Sequence, residues 1–205
     1  MVYFVTSIHT DSGKTLVSAI LTEALQADYW KPVQCGIEQT DLKTVKELVD
    51  NAHCMFFNER YLFKAPLSPH AAAQKEGVGI KLADFSLPAN EGHDLIIEGA
   101  GGILVPLNDK EFVIDIAEKF QAEIILVSNI YLGSINHTLL TVNEMKRRGL
   151  KVKGIIFNGV ENSATEEIIL KHSGYKCLLR IRPEQKIDHE TVMKYSVKLF
   201  EHWDD

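Results

Sequence analysis

Basic charge, cysteine and long apolar runs are all scarce in this chain. Lys and Arg number 22 against 28 Asp and Glu, and the net charge of -6 excludes a nucleic-acid binder that relies on a basic surface. The three cysteines, Cys35, Cys54 and Cys177, are scattered and form no CxxC pair. A disulfide framework is therefore not expected, and a zinc site would have too few thiols. The eight histidines show no HExxH spacing. No segment approaches the roughly 20 apolar residues that a membrane span requires. The first residues, MVYFVTSIHTDSGK, lack a basic segment and a small-residue cleavage site, so the cytoplasm is the expected compartment. Repeats, low-complexity tracts and linkers are missing too, and a length of 205 suits one domain spanning residues 1–205.

What is present alternates between two periods. Apolar runs predict strands over 2–5, 29–31 and 95–97, and in EIILVSN, VKGIIFNGV and CLLRI. Helical spacing follows the first of these through Leu16, Ile20, Leu21 and Leu25, and recurs over 40–51, 134–148, 165–172 and 188–203. Two short helices are expected over 69–75 and 81–85, with a loop over 58–69. Continuous apolar strands separated by helices predict an α/β fold with a parallel sheet covered on both faces. Ligands of such sheets sit outside the carboxyl ends of the strands. The residues expected there are the loop after Val5, Lys31, Glu98, Asn129 and Asn158.

The run FVTSIHTDSGKT carries the strongest functional signal. Strand, polar loop and Gly13-Lys14-Thr15 at a helix start form the setting in which backbone N–H groups hold phosphate. Lys14 would reach the β- and γ-phosphates, and the Thr15 hydroxyl would sit on Mg²⁺. The general pattern G-x-x-x-x-G-K-[ST] needs glycine where Ile8 stands, or Ser7 if the loop is one residue longer. The competing reading is a helix entry with Asp11 or Ser12 as N-cap and a solvated lysine.

Glu98 would bring an acid beside that loop, able to hold Mg²⁺, or simply to pair with Lys14 or Lys31. Asp41 could be a second metal acid or a helix N-terminal acid favoured by the dipole. Lys31, held extended by Pro32, could face phosphate or snorkel to solvent. Asn158 could read an adenine edge or terminate its strand. His70 is expected at a helix start and His137 as structural. No nucleophilic triad is evident.

Taken together, FVTSIHTDSGKT, KPVQCG, the Asp41 region, PLSPH, IEGAGGILVPL, LGSINHTLLT and the strand ending in Asn158 resemble the dethiobiotin synthetase family over almost the whole length. That family's loop, GTxTxxGKT, is one residue longer than the general pattern and aligns Thr10, Gly13, Lys14 and Thr15. The resemblance implies a P-loop NTPase-like domain that carboxylates 7,8-diaminopelargonate with CO₂. The carbamate attacks the γ-phosphate of ATP, and the second amine closes the ring of dethiobiotin. It implies Lys14, Lys31 and Thr10 as catalytic groups, and Asp11, Ser12, Gly13, Lys14, Thr15, Leu16 and Asn158 around ATP. Mg²⁺ would lie on Thr15, Asp41 and Glu98. Lys31, Cys35, Gly101 and the segment Gly133, Ser134, Ile135 and Asn136 would take the substrate, that segment receiving its carboxylate from the partner subunit of a homodimer.

Several positions depart from the family pattern. Ser7 replaces the first loop glycine, where a positive φ would cost about 1 kcal/mol. His9 and Ser12 are unusual, Cys35 stands in place of serine, and LLRIRPEQ, with Arg180 and Arg182, lacks the usual glycine-acid-isoleucine-proline segment of the adenine pocket. Two further readings stand beside the ligase. One is a nucleotide-dependent switch resembling the partitioning and septum-site ATPases, although their early loop lysine is missing from Ser7, Ile8 and His9. The other is a non-catalytic nucleotide-binding relative.

Overall fold

A computed structural model describes residues 1–89, 92–201 and 203. The chain opens with β1 (Val2–Ser7), α1 (Lys14–Leu25), β2 (Asp28–Trp30), β3 (Val33–Cys35) and α2 (Asp41–Leu48). Next come β4 (Phe56–Phe57), β5 (Tyr61–Phe63), α3 (Pro69–Lys75), a 3₁₀ turn at Leu82–Asp84 and β6 (Leu95–Gly102). The remainder is α4 (Val113–Lys119), β7 (Glu123–Asn129), α5 (Ser134–Arg147), β8 (Val152–Asn158), α6 (Ser163–Ser173), β9 (Cys177–Ile181) and α7 (His189–Phe200).

Seven strands form one sheet in the order β4-β2-β6-β1-β7-β8-β9, and every pairing in it is parallel. β3 and β5 make a separate parallel pair. Alternation along the strands divides the core in two. Tyr3, Val5, Tyr29, Ile96, Ile125 and Val127 face α1, α2 and α7, whereas Phe4, Ile97, Ile124 and Leu126 face the opposite helices. Both faces of the central strands are thus buried, which is why those strands read as unbroken apolar runs.

Helix boundaries follow local capping. The Thr40 side chain accepts from the Lys43 N–H, and α2 ends at Leu48 where Val49 turns extended, three residues short of the expected limit. Asn162 caps α6 two residues earlier than its apolar pattern indicated, and Asp188 caps α7. The helix expected over 81–85 is reduced to a single turn. α7 stops at Phe200, and of the expected continuation to 203, residue 202 lies outside the described residues.

Four elements are absent from the sequence expectation. β3, β4 and β5 are two or three residues long and too short to show a period. α4 buries Val113, Ile114, Ile116 and Ala117, and the Asp115 carboxylate accepts from the Phe112 N–H at 2.7 Å. Half-buried Arg148 joins Asp115 to Glu144, both at 2.7 Å, and so ties the end of α5 to α4. Among the described residues no helix is long and apolar enough to cross a membrane.

Candidate active site

The loop after β1 bends through two left-handed residues, Asp11 (φ 59°) and Gly13 (φ 93°). Gly13, not Asp11 or Ser12, occupies the N-cap of α1, and among the described residues no side chain caps that helix. Its first backbone N–H groups are therefore open to an anion, and the helix dipole favours one. Ser12 is buried and its hydroxyl donates to the His9 carbonyl at 2.9 Å. A Cβ on Gly13 would fall 2.3 Å from Asn158 Nδ2, which itself donates to the Ser12 carbonyl at 2.9 Å. Asn158 thereby holds the loop from β8.

Ser7 carries none of the strain anticipated for it. Among the described residues, positive φ at non-glycine positions occurs only at Asp11, Gln26 and Gln121. Ser7 is the last residue of β1, fully buried, and its hydroxyl donates to the His9 carbonyl at 2.6 Å.

Glu98 also differs from expectation, because β6 continues to Gly102 and places the acid inside the strand. Its partner in register is Val5 of β1. Lys31, just past β2, is 4% exposed and Glu98 1%. The Lys31 ammonium lies 3.0 Å from Glu98 Oε1, 2.6 Å from Asp41 Oδ2 and 3.2 Å from the Gly99 carbonyl. The Thr15 hydroxyl is 2.8 Å from Asp41 Oδ1 and 3.0 Å from Glu98 Oε1. Of the two partners considered for Glu98 it is Lys31 that pairs with it, and Lys31 does not snorkel.

Electrostatics follow from this crowding. Burial opposes the charge on Lys31, but Glu98 and Asp41 outweigh it and raise its pKa above the ordinary lysine value. Burial likewise opposes ionisation of Asp41, and Lys31 overcomes it, so its pKa is lowered. Among the described residues no acid lies so close to Lys14; burial, followed by repulsion from Lys31, lowers its pKa to about 8. The Cys35 thiol is pushed up to about 11 by burial and stays protonated at neutral pH.

These groups share one cavity of about 810 Å³. It is lined by Thr10, Asp11, Gly13, Lys14 and Thr15 from the loop, and by Lys31, Cys35, Asp41, Glu98 and Gly101 from other segments. Ser12, Leu16 and Asn158 are not among the residues that line it. Gly133 (φ 107°), Ser134, Ile135 and Asn136 form the start of α5, also away from the cavity wall. Ser134 is buried, and its hydroxyl has no partner among the described residues. The Tyr131 hydroxyl and His137 Nδ1 share a hydrogen bond, and the Tyr131 ring meets His9 edge-on at 5.3 Å. His70 lies in the first turn of α3, exposed.

Sequence reasoning missed three parts of the site. Gln34 is buried and its side chain accepts the Asp41 N–H at 3.3 Å. Tyr29 donates to Glu98 Oε2 at 2.9 Å. An apolar wall of Val33, Pro66, Leu67, Ala100 and Val105 closes the cavity beside the charges. The PLSPH segment was a signal for the wall; neither Gln34 nor Tyr29 gives one.

Hard oxygen donors on Thr15, Asp41 and Glu98 beside a phosphate-type loop fit Mg²⁺, which prefers a few carboxylates plus phosphate oxygens to an all-protein cage. Among the described residues there is no group of three or more His, Cys, Asp or Glu side chains placed to hold a metal alone.

Parallel sheet, open helix N-terminus and converging lysines and acids define a P-loop NTPase-type protein. The fold is similar to a ParA family ATPase from Chlorobium tepidum (TM-score 0.58, 15% identity, covering 98% of this chain and 95% of that one). It is also similar to the septum site-determining protein MinD from Pyrococcus horikoshii (TM-score 0.51, 16% identity, covering 99% and 93%). A family model described as an AAA domain matches residues 1–191. Sequence likeness goes further. The chain is 62% identical over 201 residues to the ATP-dependent dethiobiotin synthetase BioD of Cytophaga hutchinsonii, covering 98% of both. It is 47% identical over 197 residues to the same-named protein of Christiangramia forsetii, covering 96% of this chain and 94% of the relative. The chain belongs to the dethiobiotin synthetase family, and is an enzyme of the ligase class.

Proposed function

We propose that this ligase uses ATP and Mg²⁺ to join CO₂ to 7,8-diaminopelargonate, giving dethiobiotin, ADP and phosphate. One observation carries the reading: the Lys14 and Lys31 ammonium groups, the Thr15 hydroxyl and two carboxylates meet at the floor of a single cavity. Phosphoryl transfer asks chiefly for positioning and for cations around a spreading negative charge.

One amine of the substrate takes up CO₂ and loses a proton to give a carbamate, and the carbamate oxygen attacks the γ-phosphate. The resulting carbamic–phosphoric anhydride is opened by the second amine, which closes the cyclic urea and releases phosphate. Gly13 and the first N–H groups of α1 cradle the triphosphate, with Lys14 beside it. Lys31 neutralises charge on the carbamate and the transferring phosphoryl group, with Thr10 assisting. Mg²⁺, held by Thr15, Asp41 and Glu98, would neutralise phosphate charge. The protonated Cys35 thiol and the apolar wall of Val33, Leu67 and Val105 suit the aliphatic part of the diamine, with Gly101 alongside. Asp11, Ser12 and Leu16 support the phosphate loop, and Asn158 joins them on the adenine side. The start of α5, from Gly133 to Asn136, takes the substrate carboxylate across a homodimer interface. The whole chain acts as one domain in the cytoplasm.

The direct test incubates the folded protein with Mg²⁺, ATP, bicarbonate and diaminopelargonate. Phosphate and dethiobiotin should appear in equal amounts. ATP hydrolysis indifferent to the diamine would refute the ligase reading.

A further inference from the structure

The carboxylate of Glu98 is held from behind by a residue outside the cavity. Tyr29 lies in β2, which pairs with β6 in the register Tyr29↔Ile96. Period-two alternation puts Tyr29 and Glu98 on the same face of the sheet, toward α1. The Tyr29 ring is wholly buried, tilted against Phe56 at 6.5 Å between centroids. Its hydroxyl meets Glu98 Oε2 at 2.9 Å. The other oxygen, Oε1, is the one that faces the Thr15 hydroxyl and the Lys31 ammonium.

We propose that Tyr29 is a positioning residue for the metal-facing acid: its hydroxyl engages Glu98 Oε2 and leaves Oε1 alone turned toward the phosphate loop. Without that donor, a buried carboxylate oxygen would have no partner on the interior side, and rotation of the group would become the way to satisfy it. An ionised carboxylate only accepts, so the phenol is the donor of this pair. Partners of this kind behind a metal-binding carboxylate typically change metal affinity or activity by about 10- to 100-fold when removed.

The inference rests on Glu98 being a metal acid, as set out under the proposed function. Mn²⁺ is the probe, titrated into the full chain saturated with a non-hydrolysable ATP analogue and followed by electron paramagnetic resonance. Tyr29→Phe should bind Mn²⁺ about tenfold more weakly, while its circular dichroism and its affinity for the analogue in EDTA stay as in the parent. On a Glu98→Gln background, Tyr29→Phe should have no further effect. Phe56→Leu, which loosens the same packing but spares the hydroxyl, should leave Mn²⁺ affinity unchanged.

Each contrary result points to a different failure. Parent-like Mn²⁺ binding in Tyr29→Phe, with weakened binding in Glu98→Gln, overturns the role of Tyr29 and spares that of Glu98. Unchanged binding in Glu98→Gln removes Glu98 from the metal site and the present inference with it. A loss in Phe56→Leu equal to that in Tyr29→Phe would assign the effect to packing, and so would a Tyr29→Phe effect that persists beside Glu98→Gln.

Discussion

The ammonium of Lys14 rests 3.0 Å from the hydroxyl of Ser7, and both groups are buried. A serine in place of the family's glycine therefore supplies an acceptor to the phosphate-loop lysine. Ser7→Ala should cost about 1–3 kcal/mol, the penalty of a buried donor losing its partner. Bound ATP would supply phosphate oxygens in its place, so the ATP-induced rise in melting temperature should be larger in Ser7→Ala than in the parent. Equal shifts in a thermal melt would show that the serine does not serve Lys14.

Nucleotide binding in the absence of Mg²⁺ should take up protons near pH 8. Free Lys14 has a pKa of about 8, so above that pH it is mostly neutral. A triphosphate favours the charged form and raises the pKa in the complex. Affinity should then be steady below pH 8 and fall toward tenfold per pH unit above it. Calorimetry in buffers of differing ionisation enthalpy measures the uptake directly; a flat profile from pH 7 to 9 contradicts the assignment.

Lys31→Ala should abolish turnover while leaving most nucleotide affinity intact. It also strands Glu98 and Asp41 against one another. Breaking a buried ion pair in this way costs about 3–5 kcal/mol, so urea denaturation should show a large loss of stability. Lys31→Ala that turns over like the parent would remove Lys31 from the mechanism.

At Gly13 two penalties coincide. Its φ of 93° strains any side chain, and a Cβ there would displace the Asn158 amide. Gly13→Ala should lose ATP binding by at least tenfold. Adding Asn158→Ala relieves the collision but not the backbone strain, at least about 1 kcal/mol, so recovery should be partial. Full recovery in equilibrium binding would show that the collision alone mattered.

Gly154 marks a close approach far from the cavity. A Cβ on it would lie 2.7 Å from the Lys176 carbonyl and from Leu178 Cγ. Gly154→Ala should push β9 away from β8 and destabilise the chain by about 1–3 kcal/mol. Activity per folded molecule should be unchanged, as read from urea denaturation beside a steady-state assay.

Long periodic elements were legible before the fold was known. The buried runs around Ile96, Ile125 and Ile156 read as parallel strands because both their faces are covered, and α1, α3 and α5 fell near their limits. What escaped lacks a period: β3, β4 and β5 are too short, and α4 hides behind a polar stretch. The charged groups Lys14, Lys31, Asp41 and Glu98 were identifiable from type and place, and they do converge. Their supports were not. Nothing in a sequence distinguishes Tyr29 from any other core aromatic, or Gln34 from any other polar residue near a turn, until register and distance are fixed. Ser7 misled in the opposite direction, because a missing glycine implied strain at a position whose backbone is ordinary strand.

The two acids of the cavity are mounted differently. Glu98 projects from a strand interior, flanked by β1 and β2, whereas Asp41 stands on the first turn of an eight-residue helix. The first is fixed by pairing on both sides, whereas the second depends on the packing of α2 through Val45 and Leu48. Under the proposed Mg²⁺ role, an ion of different radius would be met by adjustment of Asp41 sooner than of Glu98.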